Sequence, residues 1–376
     1  MADRMARRLV ALATGDVASR PPVRRSPDDE RGATSGEGGG PAPADDHVVR
    51  TLYTQGLLSW GHDVAVADGW PADVRERIAR LRADAVSRAL AQAALLTTLR
   101  QEAEHAGIPL MVLKGIALST ALYGDLARRH SVDLDVLVSP VHAGTIAGVL
   151  RGLGFVPGHP WQDGGSDEFT RWARLHHEFA FTDARGRVVE LHARLTGPLM
   201  GRSRPFEALW HDRREVRLGS CHVAMPSWED SVPHLAVHGF CHGWERLSWI
   251  ADIAAIATRA DVDWDRTRTL AGELRCVTAV EAALGISHAL FDTPLPWRPG
   301  ARADRATRAV VTRIERGRFK PPFADWLGDH FRSRDGWIDV ARHAWALWRV
   351  PAADDASPGE WPPSGLSLTW RRPLRL

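Results

Sequence analysis

Apolar side chains recur at two spacings along this chain, and the change from one to the other divides it. Between residues 71 and 105, Val74, Ile78, Leu81 and Ala85 fall on one stripe of a long amphipathic helix. Pro71 suits the first helical position and Gly107 breaks the pattern. Pro109-Leu110-Met111-Val112-Leu113 then reads as a short buried strand. A turn at Lys114-Gly115 leads into a short helix over 116–123 that stops at Gly124. Over 132–138 the period becomes two: Val132, Leu134 and Val136 share one face, and Asp133 and Asp135 share the other.

Pro140 opens another helix that Gly154 ends, and Phe155 starts a strand. Residues 177–182 and 187–192 pair across Asp183-Ala184-Arg185-Gly186, a hairpin-type turn. From residue 202 onward the pattern predicts helices only, over 229–242, 244–258, 265–275, 277–291, 303–315 and 337–348. Residues 1–46 carry few large apolar side chains after Val17 and are expected to be mostly disordered, with a short helix near 6–13. The expected organisation is a disordered 1–46, helices over 47–106, an α/β (α+β) core with a mixed sheet over 107–200, and a helical domain over 201–376.

Composition narrows the function classes. The 376 residues hold 44% hydrophobic and 25% charged side chains, as a globular protein does. With 48 basic against 46 acidic residues, the net charge of +2 gives no strong nucleic-acid signature. No apolar run reaches the roughly 18–20 residues that span a bilayer. Three cysteines without a C-x-x-C pair suit a reducing compartment, so a cytoplasmic location is expected. Only two of the basic residues are lysine, Lys114 and Lys320. In a chain that uses arginine almost everywhere, Lys114 draws notice as a compact ammonium close to the aspartate pair.

Two carboxylates on one strand face repel each other and are costly to desolvate unless a cation or solvent lies beside them. Asp133 and Asp135 therefore make a natural seat for Mg²⁺, which takes oxygen ligands and shares its shell with substrate phosphates. A solvated acidic edge is the plainer alternative. Glu190, on a later strand, could complete a carboxylate triad, and two ions in such a triad clamp the oxygens of an in-line phosphoryl displacement. The Lys114-Gly115 turn aims the positive end of a helix at an anion, with Lys114 as a point charge for phosphate. Arg128 and Arg129, just ahead of the strand, could orient a phosphate group.

In this order the motifs resemble those of the bacterial uncharacterised nucleotidyltransferase family, a branch of the DNA polymerase β-like nucleotidyltransferase superfamily. The resemblance lies in Leu113-Lys114-Gly115-Ile116-Ala117-Leu118, Leu122-Tyr123-Gly124-Asp125, Arg129, and Asp133-Leu134-Asp135-Val136-Leu137-Val138. Downstream, His234, His238, Gly239 and residues 244–252 are similar to the family's helical half. It implies a polymerase β-like core followed by a helical domain, Asp133 and Asp135 as metal ligands, Gly115 as the motif glycine and Glu190 as the third carboxylate. The implied reaction moves an NMP group from an NTP to an unidentified acceptor, with two Mg²⁺ ions and release of pyrophosphate. Ile116 departs from the small residue, often Ser, that usually follows the glycine, and Lys114 stands in for that hydroxyl. A nucleotide-binding or regulatory module that has lost catalysis is the alternative.

His234, His238 and His242 recur every fourth residue, a spacing that zinc can use, although internal hydrogen bonding is the commoner fate of helix histidines. Asp252 and Arg246 are expected to form a structural ion pair in the helical domain. His192, two residues after Glu190 and on its face, is weighed as an aid to acceptor deprotonation against a supporting role. Trp244, Trp249, Trp345 and Trp348 fall at helical spacing, for which core packing is the default.

Overall fold

The computed structural model describes residues 2–14, 43–158, 165–173, 176–196, 202–336 and 338–341. The chain begins with helices α1 (Ala2–Thr14), α2 (Pro43–Thr54), α3 (Leu58–Ala67) and the long α4 (Ala72–His105). Next come β1 (Met111–Val112), α5 (Gly115–Tyr123), β2 (Asp133–Leu137), α6 (Ala143–Gly152), β3 (Phe155–Pro157), α7 (Ser166–Trp172), β4 (Glu178–Asp183) and β5 (Val188–His192). After α8 (Phe206–His211), the strands β6 (Arg214–Leu218) and β7 (Cys221–Met225) precede α9 (Trp228–Cys241) and α10 (Leu247–Ala257). The remaining helices are α11 (Trp264–Leu274), α12 (Val277–Phe291), α13 (Ala301–Glu315) and α14 (Phe323–Arg332).

The described strands form one seven-stranded mixed sheet in the order β3-β4-β5-β2-β1-β7-β6. β2 runs parallel to β5 and antiparallel to β1, while β4 and β5 form the expected hairpin. Alternation sorts the residues of these strands into two faces. Val112, Leu134, Val136, Val189, Leu191, Phe179 and Phe181 point into the main core, which continues into the helices on both sides in sequence. The opposite face carries Met111, Leu113, Leu137 and Ala224, which pack with Leu195, Phe206 and Leu209 in a small second cluster. Asp133, Asp135, Glu190 and His192 belong to this second face by register.

Two expectations need correction. Residues after 202 are not helical throughout, because β6 and β7 extend the sheet as far as Met225. Their alternation is legible in hindsight: Val216 and Leu218 are buried while Glu215 and Arg217 face outward, as on an edge hairpin. The disordered stretch read over 1–46 does not include 2–14. That helix is longer than the one expected over 6–13, and it buries Leu9 and Val10 completely in the main core. Burial of that apolar stripe offsets the ordering cost that composition alone made look prohibitive. Residues 15–42, and most of the helix expected over 337–348 with Trp345 and Trp348, lie outside the described residues. Among the described residues, no helix is long and apolar enough to cross a membrane.

Candidate functional site

The site is built on β2 and β5. Parallel pairing sets Asp135 directly opposite Glu190, and Leu137 opposite His192. One strand further, antiparallel pairing sets Glu178 opposite His192. Carboxylate oxygens of Asp135 and Glu190 and a ring nitrogen of His192 all lie within 4.8 Å of one another. Asp133 is on the same face two residues upstream, half-buried at the end of β2, and is outside that tight group. Ser131 aims it: the Ser131 hydroxyl lies 3.0 Å from both the Asp133 carboxylate and its own strand's Asp133 carbonyl. Gln92 of α4 donates to the same carbonyl at 3.0 Å.

The glycine turn sits beside this face. Gly115 has φ +60°, and a Cβ there would lie 3.3 Å from the Ser131 hydroxyl. A side chain at this position would be strained by the backbone and crowded by Ser131. Lys114, the residue capping α5, turns its ammonium onto Asp135 at 3.1 Å rather than outward to a phosphate. His192 Nε2 lies 3.2 Å from the same Asp135 oxygen and 3.7 Å from Glu190.

Electrostatics follow from this crowding. Burial works against an ionised Asp135, but Lys114 and His192 outweigh it and hold the carboxyl well below its usual range. Burial likewise opposes charge on Lys114 and His192. The carboxylates prevail in both, raising the Lys114 ammonium and pushing His192 up to about 9. Glu190 goes the other way: hydrogen bonding with His192 pulls it down, but burial and the charges of Asp135, Asp133 and Glu178 raise it. Asp135 is thus held as an anion, and of this pair Glu190 is the carboxylate closer to taking a proton.

A donor set of carboxylate oxygens and one imidazole suits a divalent cation. The Lys114 ammonium and the His192 ring already converge on one Asp135 oxygen, so the site attracts positive charge where a metal would lie. Asp135, Glu190 and Asp133 are brought to one face as the sequence predicts. His192 joins them more closely than expected, while Asp133 stands at the edge.

Arg129 is not placed as expected. Its Nε donates to Asp252 on α10 at 2.6 Å, and both side chains are almost wholly enclosed. Tyr123 donates its hydroxyl to the other Asp252 oxygen at 2.9 Å. Asp252 therefore pairs with Arg129 and not with Arg246, which lies over the Trp249 ring instead. Arg128 pairs with Asp63 at the surface. The α9 histidines stack as a file, with His238 and His242 ring centroids 4.6 Å apart and Trp249 against both. Burial, followed by the charge of Lys114, keeps His234 down at about 3 and also lowers His238. These rings form a neutral wall facing the acidic sheet, and among the described residues they make no metal-ligand group.

Sequence reasoning gave Ser131 no role and missed Gln92 and Glu178. Gln92 left a signal, as a polar residue inside the apolar stripe that continues through Ala85, Ala89 and Leu96. Glu178 left a weaker one, sharing the half-polar face of its strand with Ala180 and Thr182.

A family model described as an uncharacterised nucleotidyltransferase matches residues 44–292. No curated protein matches the chain. Among solved structures, the antibiotic-resistance factor ANT(2'')-Ia is similar at 17% identity and a TM-score of 0.36, over 53% of this chain and 98% of that one. The lincosamide antibiotic adenylyltransferase LnuA is similar at 16% identity and a TM-score of 0.27, over 36% of this chain and 81% of that one.

Proposed function

Because the chain belongs to the uncharacterised nucleotidyltransferase family, through the match across residues 44–292, we propose that it transfers an NMP group from an NTP to an acceptor hydroxyl. Pyrophosphate leaves in the reaction. The observation that carries this reading is the cross-strand pairing of Asp135 with Glu190, on the face that also bears Asp133 and adjoins the Gly115 turn.

Asp133, Asp135 and Glu190 would hold Mg²⁺, in the two-ion arrangement, with His192 close enough to share the shell. When bound, the metal supplies charge neutralisation at the reacting phosphate and lowers the pKa of an attacking hydroxyl. The residues of the chain do the rest. Gly115 leaves room for the phosphates to approach the backbone at the start of α5. Lys114 is held to Asp135 at 3.1 Å, a contact with which a metal would compete, and its release would free the ammonium for a phosphate. Ser131 fixes Asp133, and Glu190, closer to protonation than Asp135, accepts the acceptor's proton. The new bond joins acceptor oxygen to the α-phosphorus, and the bond from that phosphorus to the pyrophosphate oxygen breaks.

The file of rings on α9 and Trp249 lies within electrostatic reach of Lys114 and Asp135, and the helical part of the chain would select the acceptor. Three free cysteines support a reducing location such as the cytoplasm. The test is mass spectrometry of extract components incubated with the protein, Mg²⁺ and mixed NTPs. A component gaining the mass of one NMP identifies acceptor and base together, and Asp133→Ala with Asp135→Ala abolishes that gain. Nucleotide binding with no mass gain in any fraction would instead favour a binding module without catalysis.

A further inference from the structure

Two arginines beside the acidic face answer to no carboxylate among the described residues. Arg88 lies on α4, one turn before Gln92, and its Nη2 donates to His130 Nε2 at 3.1 Å. Arg246 immediately precedes α10 and spreads over Trp249, with 5.7 Å from its guanidinium carbon to the ring centroid. Neither forms an ion pair, whereas Lys114 and Arg129 are both committed to aspartates. Uncompensated cations gathered around the buried His130 ring repel one another, and a bound anion relieves that repulsion.

His130 reports how closely these cations gather. Burial first, and then the charges of Arg88, Arg246 and Arg129, lower it to about 4, so it accepts from Arg88 as a neutral ring. The backbone beside Arg246 is also held in place. Gln55 donates through Nε2 to the Glu245 carbonyl at 3.1 Å and accepts from the Leu247 amide at 3.0 Å, fixing the backbone on either side of Arg246. The Tyr53 ring packs against His130 with centroids 5.1 Å apart. His130 directly precedes Ser131, whose hydroxyl lies against the Gly115 turn, so chain adjacency puts His130 and the Arg88 bonded to it next to that turn.

We infer that Arg88 and Arg246, with His130 between them, seat the β- and γ-phosphates of the nucleotide, the task that the sequence assigned to Arg129. This rests on the nucleotidyltransferase reading above. It assigns the polyphosphate end to residues from α4 and from the start of α10, which are brought together by folding alone.

The test uses inorganic tripolyphosphate with Mg²⁺ as the probe, titrated calorimetrically into the full chain. Arg88→Gln and Arg246→Gln should each weaken binding about tenfold, as loss of one charge-assisted contact does, while Arg305→Gln on the exposed face of α13 leaves it unchanged. Equal affinity in both site variants overturns the seat, and so does a wild-type chain that does not bind tripolyphosphate. A second measurement needs no variant: NMR titration of His130 should show its proton affinity rising at least tenfold when tripolyphosphate binds. An unchanged His130 titration overturns the proposal. Transfer activity lost in Asp133→Ala with Asp135→Ala but insensitive to both arginine variants would refute the seat and leave the reaction standing.

Discussion

Replacing Asp252 with Asn isolates the role that folding gives to Arg129. The substitution keeps size and shape but removes the charge facing a guanidinium that is 6% exposed and 2.6 Å from the lost oxygen. At that distance and an effective dielectric of about 20, the gross attraction is roughly 6 kcal/mol. Most of it offsets the desolvation of the two groups, and measured losses on breaking a buried pair from one side are about 3–5 kcal/mol. The Tyr123 hydroxyl loses a charged acceptor as well, although an Asn amide can still accept from it. Asp252→Asn should therefore destabilise by about 3–5 kcal/mol in urea denaturation, read as a lower midpoint at unchanged slope. The pair Arg129→Met with Asp252→Leu should recover most of that loss, since apolar replacements of similar size fill the space. A loss below about 1 kcal/mol in the single variant, or no recovery in the double, would refute the strut. Arg129 would then be free to serve a phosphate.

Three further outcomes follow from the site. Gly115→Ala must place an alanine at φ +60° with its Cβ against Ser131, so it should cost about 1–2 kcal/mol of stability and weaken NTP binding; thermal melts and calorimetry check both. Ser131→Ala should leave stability within about 1 kcal/mol, because one hydrogen bond is lost, yet reduce Mg²⁺ affinity, since nothing then aims the Asp133 carboxylate. His234 is nearly enclosed and titrates at about 3 when folded. Between pH 6.5 and 3 the unfolded chain takes up a proton that the folded chain refuses, so this histidine subtracts stability as pH falls. His234→Leu should thus lose about 2 kcal/mol less than wild type on going from pH 7.5 to pH 5, and parallel pH profiles would contradict that.

Much of this arrangement was readable before folding, for a reason tied to period. In β2 the alternation forces Asp133 and Asp135 onto one face whatever the strand's neighbours, and the turn chemistry around Asp183 fixes the β4–β5 register that carries Glu190. The hairpin of β6 and β7 was hidden because its outward charges, Glu215 and Arg217, dilute the apolar signal of an edge pair. Helix α1 was legible only over 6–13, and its burial was not, because its stripe is short and its partners, α2, α3 and α10, lie further along the chain. The charge partners were least legible. Arg129 meets Asp252 across 123 residues of sequence and Lys114 meets Asp135 across helix α5 and the loop after it, and no local pattern encodes which cation faces which carboxylate.

If Asp133, Asp135 and Glu190 hold a nucleotide through Mg²⁺, its binding must depend on the metal. Calorimetric titration of each NTP into the full chain, with and without Mg²⁺, addresses it most directly. The account predicts binding that needs Mg²⁺ and that falls at least tenfold in Asp135→Asn and in Glu190→Gln. NTP binding of equal strength without the metal, or undiminished in both variants, would contradict it.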